Sequence, residues 1–298
     1  PSGLEVARIA TQRGHRVTVV DKTDRLGGTL WFSALTTPAN YPLLEWLRTE
    51  TARLGVDIRL STEATPALIA ELAPDAVVIA TGAVRERPAI PGGDLPHVHT
   101  GDTMRALMTG VGDTSGQAWY LRLAGRLGKL TGLTKTPARV AALTRRILPV
   151  GKDVVVIGGS LVGLELAEFL AERGRNVTLL HDEQQLGLPM ALPRRWTAVR
   201  HAKEAGVTIH RHARAVRITE HAVEFDEAVT GKRGEVLDTK RSSAPASMVI
   251  MAAGVSPAAP LAQRFGEMVP EVHVVGDAGS VDYIQGAIHT AWKVASAL

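Results

Sequence analysis

A glycine-rich turn near the middle of the chain has the residue types and spacing that can hold a diphosphate. It consists of six residues, Gly158, Gly159, Ser160, Leu161, Val162 and Gly163. The β-branched run Val154–Ile157 precedes it, and a segment with apolar residues at helical spacing follows, ending at Gly174 before a second strand at Val177–Leu180. A strand, a glycine turn and a helix in this order present free backbone N–H groups to a pyrophosphate. The stretch therefore predicts a dinucleotide-binding βαβ unit.

The same pattern occurs a second time at the start of the chain. Gly3–Asp21 aligns on Gly163–His181 without a gap, with eight identities in nineteen positions. A repeat this far apart indicates two copies of a domain. Asp21 closes the second strand of the first copy, where a carboxylate can accept hydrogen bonds from ribose hydroxyls. Because the first strand and first glycines of this copy would precede Pro1, we expect a fragment that begins inside its first fingerprint.

Turns of small residues follow the other predicted strands. Gly27, Gly28 and Thr29 form a loop after the second strand, where paired glycines mark either a simple turn or close backbone approach to a cofactor. Three apolar strands end in similar turns: Asp75–Ala83 in Thr81 and Gly82, Met248–Gly254 in Gly254, and Val272–Asp277 in Gly276 and Asp277. Helices are predicted at Gly3–Arg13, Pro42–Leu54, Pro193–Ala205 and Gly286–Ala297. This alternation predicts the α/β class.

The composition excludes several kinds of site. The 298 residues contain no cysteine, so neither a CxxC redox pair nor a cysteine-held iron–sulfur cluster can lie within them. The pairs His97/His99 and His210/His212 have spacing that suits a metal, but nothing in the sequence ties a third ligand to them, so no metal site is predicted. No catalytic side chain stands out. The ordinary hydrophobic content and the lack of a membrane-length apolar run predict a soluble protein, for which we expect a cytoplasmic location.

Positive charge is concentrated in one stretch. Between Thr114 and Lys152 there is no acidic residue, whereas eight basic residues occur there: Arg122, Arg126, Lys129, Lys135, Arg139, Arg145, Arg146 and Lys152. The net charge of +4 therefore leaves −4 for the rest of the chain. We interpret the stretch as short helices with a solvated cationic face. The alternative is a docking surface for an acidic partner, another domain or an anionic membrane. Nucleic-acid binding is not expected, because no recognised motif accompanies the charge.

Taken together, these motifs resemble the two-dinucleotide flavoprotein reductases. The sequences LGGTL, ATGAVRERPAIPG and VHVVGDAG accompany the two fingerprints. The long connector before VVVIGG and the absence of CxxC make the chain similar to the C-terminal half of the 2,4-dienoyl-CoA reductase and trimethylamine dehydrogenase group. These are NADH:flavin oxidoreductases related to old yellow enzyme. The resemblance implies two Rossmann-like domains, one inserted in the other. The FAD-type domain would comprise residues 1–96 and 266–298 and lack its first strand, a basic helical connector would span 97–149, and the NAD(P)-type domain would span 150–264.

The resemblance also implies roles for individual residues. Gly3 and Asp21 would hold the ADP part of FAD. The flavin side would be lined by Gly27, Gly28, Thr29, Thr81, Gly82 and Asp277 with Gly276, and a helix N-terminus near Ala287 and Ile288 would face the pyrimidine edge of the ring. Residues 158–163 would bind the pyrophosphate of NAD(P)H, and Gly254 would line the nicotinamide side.

Two positions depart from the fingerprint. Ser160 replaces its middle glycine, and His181 stands where the ribose-binding acid belongs; a histidine there gives a mild preference for NADPH, with an exposed structural histidine as the alternative.

The expected function is a flavin-dependent oxidoreductase module. Hydride would pass from NAD(P)H to FAD, and electrons would continue through a 4Fe-4S cluster to FMN in an upstream barrel of the same chain, where an enoate or dienoyl substrate is reduced. The barrel, the FMN and the cluster would all lie in the missing N-terminal part. The alternative is a non-redox ADP-binding domain that supports the barrel, and a third option is that the connector docks a separate redox partner. No transmembrane segment is expected, and a homo-oligomer is left open.

Overall fold

A computed structural model describes residues 1–85, 87–109, 136–148, 150–231, 236–258 and 260–298. Up to residue 109 the helices and strands are α1 (Ser2–Gln12), β1 (Thr18–Val20), α2 (Thr29–Thr36), α3 (Tyr41–Arg53), β2 (Asp57–Arg59), α4 (Pro66–Leu72), β3 (Ala76–Ile79), β4 (Val84–Arg85), β5 (Val98–Thr100) and α5 (Gly101–Thr109).

From residue 136 onward they are α6 (Pro137–Arg146), β6 (Asp153–Ile157), α7 (Leu161–Ala171), β7 (Asn176–Leu180), α8 (Leu192–Glu204), β8 (Thr208–His210), β9 (Ala213–Ile218), β10 (Ala222–Thr230), β11 (Val236–Pro245), β12 (Met248–Met251), β13 (Val255–Ser256), α9 (Pro260–Gly266), β14 (Glu271–Val274) and α10 (Tyr283–Ala297).

The chain divides into two units, one of which is discontinuous. The first comprises Pro1–Val84 and Val255–Leu298, and the second is Arg85–Gly254. The sequence placed these divisions near residues 96 and 266 instead. The difference arises because β5, which the sequence assigned to the connector, pairs in parallel with β12, Val98 lying opposite Val249. Residues 110–135 of the predicted connector, with four of its eight basic residues, lie outside the described residues.

A five-stranded parallel sheet forms the centre of the second unit, in the order β5-β12-β6-β7-β8. Its middle strand β6 is buried at Val154, Val155 and Val156, as expected for a parallel strand covered on both faces. Helix α7 buries Leu164 and Leu170 in the same unit. The β-branched run of β6 and the apolar spacing of α7 thus form the predicted βαβ unit, which continues into β7.

An antiparallel sheet of three strands, in the order β11-β10-β9, completes the second unit and was not predicted. Its strands carry charged residues along much of their length, and Arg241 of β11 is opposite Asp226 of β10. Its inner face is apolar, with Val223 and Phe225 buried there. The sequence signal was weak because small alanines fill several of the inward positions.

The first unit contains two parallel strand pairs, β1 with β2 and β3 with β14. Helices α1 and α10 pack over this unit, burying Val6, Ile9 and Ala291. The strand order of the first unit resembles that of the second. By the internal repeat β1 corresponds to β7, and β3 ends in a small-residue turn as β12 does. In the second unit β6 lies between β7 and β12, whereas no strand joins β1 to β3 in the described part of the first unit.

One helix end of the first unit gives a stability prediction. Helix α4 is capped at its C-terminus by Ala73, an exposed residue in the left-handed conformation with φ 41° and ψ 56°. A Cβ in this region costs about 1–2 kcal/mol, which glycine avoids at the expense of unfolded-state entropy. We expect Ala73→Gly to stabilise the fold by about 0.5–1 kcal/mol and raise Tm by a few degrees.

The matched control is Ala70→Gly, at an exposed position inside the same helix, which should destabilise the fold by about 1 kcal/mol. A lower Tm for Ala73→Gly than for the unchanged protein would contradict this account of the cap.

Candidate functional site

The predicted glycine turn of the second unit connects the buried strand β6 directly to helix α7. Gly158 has a φ of 109°, and a Cβ on it would lie 2.9 Å from the backbone nitrogen of Ala253. A Cβ on Gly163 would lie 1.8 Å from the carbonyl oxygen of Gly158. These two glycines are therefore required by the close packing of turn, helix and neighbouring strand. The glycine turn thereby brings the N-terminus of α7 to the carboxyl end of the sheet.

This turn lies where the strand order reverses. The chain runs from β6 through α7 to β7 on one side, while β12 is the neighbour on the other side. The amide of Ala252 donates to the carbonyl of Ile157 at 2.8 Å, so the ends of β12 and β6 are adjacent. Gly254, with a φ of 77°, follows at the exposed end of the same segment. Ligands of open α/β sheets bind in the crevice at such a switch point.

Part of the hydrogen-bonding capacity of the turn is used by the protein itself. The amide of Leu161 donates to the carbonyl of Leu188 at 3.0 Å, and the amide of Gly187 donates to the carbonyl of Gly159 at 2.7 Å. The N–H groups of Val162 and Gly163, in the first turn of α7, have no acceptor within the helix. A pyrophosphate at this helix would therefore be held mainly by these two amides. The sequence did not indicate the contribution of the loop at residues 185–190, because backbone carbonyls leave no residue-type signal.

His181 lies at the end of β7, as predicted, but its ring points into the protein. Its Nδ1 accepts a hydrogen bond from the amide of Gly159 at 3.2 Å, and its Nε2 is 3.0 Å from the carbonyl oxygen of Gln185. The side chain is only 10% exposed. The alternative predicted from the sequence, that His181 is an exposed structural histidine, is therefore wrong. The residue is buried, and it connects the glycine turn to the following loop.

In the first unit, three predicted segments meet at the N-terminus of α1. A Cβ on Gly3 would lie 3.1 Å from the Cβ of Ala80, which follows β3 and precedes Thr81 and Gly82. A Cβ on Gly276 would lie 2.6 Å from the hydroxyl of Ser2. The start of α1 and the turns after β3 and β14 thus form one edge of this unit. Backbone amides at a helix N-terminus are again available to an anionic group there.

Two carboxylates border this edge. Asp21 directly follows β1, and its Oδ1 accepts hydrogen bonds from the amide and hydroxyl of Thr23, each at 2.8 Å. Asp277 lies in the turn Gly276–Ala278, which follows β14. Because Gly276 of this turn packs against Ser2, Asp277 is placed at the same edge as the start of α1.

The paired glycines after β1 initiate a helix that was predicted only as a loop. Gly28 has a φ of 51° and is the N-cap of α2, which begins at Thr29. A Cβ on Gly27 would lie 2.6 Å from a methyl carbon of Leu44, whereas a Cβ on Gly28 would face open space. Gly82 has a φ of 77° and likewise faces open space. Gly28 and Gly82 therefore leave room for a ligand to approach the backbone, while Gly27 serves the packing against α3.

Helix α10 begins three residues earlier than predicted, which changes the positions of two predicted site residues. Ala287 and Ile288 lie in its second turn, so the N–H groups of the first turn belong to Tyr283, Ile284 and Gln285. The Oδ1 of Asp277 accepts from the amides of Asp282 at 3.2 Å and Tyr283 at 3.1 Å. The sequence missed this start because Asp277, six residues upstream, orders the segment before the helix.

Tyr283 is a further residue that the sequence did not single out. It has a φ of 58°, which is uncommon for a residue with a large side chain and is a form of backbone strain. Burial raises the pKa of its phenol, and the nearby charge of Asp277 raises it further. The strained residue thus lies beside the carboxylate of the first-unit site.

Two other properties of the described ranges bear on function. Their histidine and carboxylate side chains do not come together in groups of three or more that could hold a metal ion. Each helix within these ranges is too short or too polar to cross a lipid bilayer.

The chain is similar to known oxidoreductases over nearly its whole length. It is 28% identical over 299 residues to the NADH oxidase of Thermoanaerobacter brockii, covering 99% of this chain and 39% of that protein. It is 26% identical to the cinnamate reductase of Clostridium sporogenes, covering 99% of this chain and 37% of that protein. A solved structure of 2-naphthoyl-CoA reductase matches all of this chain and 38% of its own, with a TM-score of 0.76 at 25% identity. The chain therefore spans about two fifths of the length of these relatives.

These similarities confirm the expected resemblance to flavin-dependent reductases and the expected α/β fold with two dinucleotide-binding domains. The family profile described as pyridine nucleotide-disulphide oxidoreductase matches residues 68–273, more than half of the chain. The chain therefore belongs to the pyridine nucleotide-disulphide oxidoreductase family.

Proposed function

We propose that this chain transfers hydride from NAD(P)H, bound by the second unit, to FAD, bound by the first unit. One observation supports this most directly: each unit contains a helix N-terminus at a sheet edge, aligned with the other by the internal repeat. When bound, NAD(P)H supplies the hydride and FAD accepts it. The residues of the chain then have to bind and orient the two groups, so no acid or base side chain is required.

The residues of the first unit are suited to FAD. The N-terminus of α1 and the adjacent Gly3 would hold the pyrophosphate, and Asp21 would hold the adenosine ribose. Gly28 and Gly82 leave open space beside their backbones, where a Cβ would otherwise fill the approach. Asp277 would orient the ribityl chain, and the first turn of α10 would present its amides to the electron-rich edge of the flavin.

The sheet of the first unit supports a further proposal. We propose that a fifth parallel strand, supplied by residues outside the described part, lies between β1 and β3, where β6 lies in the second unit. Adding the coding residues immediately upstream should then raise Tm by several degrees and increase FAD retention. Unchanged Tm and unchanged FAD retention would contradict it.

The whole protein is proposed to be longer than this chain. The relatives exceed it more than twofold in length, and two of them are named as reductases of cinnamate and of 2-naphthoyl-CoA. We propose that a barrel domain with FMN completes this protein and reduces a conjugated enoate or related acyl thioester. A 4Fe-4S cluster between the flavins would need cysteines from that other part, because this chain contains none.

The second candidate is a non-redox nucleotide-binding domain that supports the barrel. It is favoured by the hydrogen bonds that already occupy the amides of Gly159 and Leu161 in the second glycine turn. The same turn still presents the amides of Val162 and Gly163, and a Cβ on Gly28 or Gly82 of the first unit would meet no atom within 4 Å, which favours close approach of a flavin and hence the redox function.

Cofactor analysis separates the two candidates. The protein produced from its complete coding sequence should contain one flavin beyond FMN, identified as FAD after extraction. Its visible absorbance should bleach when NADH or NADPH is added without oxygen. Bound ADP with no second flavin would instead establish the supporting domain and contradict the redox proposal.

A further inference from the structure

We propose that the second unit selects NADH over NADPH and that the carboxylate of Asp182 sets this selection, whereas His181 is a positioning residue for the glycine turn that both dinucleotides share. The inference rests on the proposed function, since it concerns the same dinucleotide site. It replaces the mild preference for NADPH that the sequence suggested, because that preference assumed a histidine ring free to face a phosphate.

The ring of His181 has both nitrogens engaged. Nδ1 accepts from the amide of Gly159, so it carries no proton, and Nε2 then carries the proton that is donated to the carbonyl of Gln185. A neutral ring in this tautomer has no N–H left for a 2′-phosphate. The residue is also buried, at 9% exposure, so a ligand would have to displace the turn to reach it. His181 therefore cannot serve as the cationic ligand that recognises NADPH.

Asp182, the residue after His181, is exposed and carries a negative charge. The side chain of Asp182 is 73% exposed at the end of β7, with its Oδ1 3.6 Å from Nδ1 of His181. An acid at the end of the second strand of a dinucleotide unit accepts hydrogen bonds from the ribose diol. The same carboxylate repels a 2′-phosphate, which carries nearly two negative charges near neutral pH. Glu183, also exposed, adds a further negative charge to this rim.

The segment after β7 is held in place by backbone bonds. The amide of His181 donates to the carbonyl of His210 at 3.0 Å, and the amide of Ala213 donates to the carbonyl of His181 at 2.8 Å. Asp182 is therefore carried on a fixed strand end. Two cations belong to the neighbouring segments: Arg195 donates to the side chain of Gln185 at 3.2 Å, and Arg211 directly follows β8. Arg195 is therefore already engaged by a side chain of its own unit.

The test compares the two dinucleotides in the flavin-loaded protein made from its complete coding sequence. Both kcat/KM for anaerobic flavin reduction and Kd from dinucleotide fluorescence are measured. We expect NADH to be preferred about tenfold or more, because one hydrogen bond to a charged acceptor changes affinity by about this factor. Asp182→Ser should shift the NADH/NADPH ratio toward NADPH by roughly 10- to 100-fold. The matched control is Glu183→Gln, which removes an equal charge one residue further on and should change the ratio by less than about threefold.

Variants of His181 test its positioning role. His181→Phe should weaken NADH and NADPH equally, with the ratio unchanged, because it loosens the turn that both share. His181→Asn retains an acceptor for the amide of Gly159 and should restore part of the binding. A preference for NADPH in Kd, or a ratio that Asp182→Ser leaves unchanged, would overturn the inference. Since Kd is measured directly, a protein that binds NADH but fails to reduce flavin would contradict the proposed function and leave the selectivity inference supported.

Discussion

Replacing Gly163 by alanine is expected to abolish dinucleotide binding in the second unit and to destabilise that unit by about 3 kcal/mol or more. The added Cβ would lie 1.8 Å from the carbonyl oxygen of Gly158 and 3.2 Å from the Cβ of Ala252. The first of these neighbours is backbone, so the clash can be relieved only by moving α7 away from β6 or by deforming the turn. Either change misplaces the amides of Val162 and Gly163. Thermal unfolding and the Kd for NADH measure the two effects.

The control for this substitution is Gly174→Ala in the same unit. Gly174 has a φ of 74°, but a Cβ on it would meet no atom within 4 Å. This change therefore introduces backbone strain alone, about 1 kcal/mol, and should leave the Kd for NADH unchanged. If Gly163→Ala has the same unfolding temperature and the same Kd for NADH as Gly174→Ala, the proposed role of the turn is contradicted.

Replacing Asp277 by alanine is the second substitution with a large expected effect. It removes the acceptor of two amide hydrogen bonds, from Asp282 and Tyr283, that hold the segment before α10. We expect a loss of about 2 kcal/mol in the stability of the first unit, the usual range for bonds to a charged acceptor. We also expect FAD to be bound at least tenfold more weakly, because the segment and the carboxylate both border the flavin site. The ratio of FAD to protein after gel filtration and the unfolding transition measure these effects.

Asp277→Asn is the matched control, because its amide oxygen can still accept both backbone bonds. It should retain most of the thermal stability, within about 1 kcal/mol of the unchanged protein. A weaker FAD affinity in Asp277→Asn without a loss of stability would assign the effect on FAD to the lost charge. Full FAD retention in Asp277→Ala would contradict the placement of the flavin at this edge.

The parts of the fold that the sequence predicted well are those with long apolar patterns. The run at β6 specified its strand to within a residue, the helical spacing predicted α7, which ends at Ala171 rather than at Gly174, and the repeat at Gly3 identified α1 and β1 as a second copy. Parallel strands buried on both faces have continuous apolar runs, which are strong signals. The two glycines that close packing requires in the turn of the second unit, Gly158 and Gly163, were also recognised by type and spacing.

The elements that were missed have weaker or non-local signals. Strand β5 has only three residues, one of them His99, and is a strand because β12 lies beside it. The strands of the antiparallel sheet carry alternating charges, and small residues fill the inner face of the sheet. The start of α10 is determined by Asp277, six residues upstream, and the orientation of His181 by the backbone of Gly159 and Gln185. Such side-chain to backbone bonds cannot be deduced from residue spacing.

We expect hydride to pass from the dinucleotide of the second unit to the flavin of the first. The most direct measurement is rapid mixing, without oxygen, of NADH with the FAD-loaded protein produced from its complete coding sequence. We expect the absorbance of the oxidised FAD to bleach in one turnover, and we expect Gly163→Ala to lose this phase while retaining FAD. Oxidised FAD that persists although NADH is bound would contradict the account.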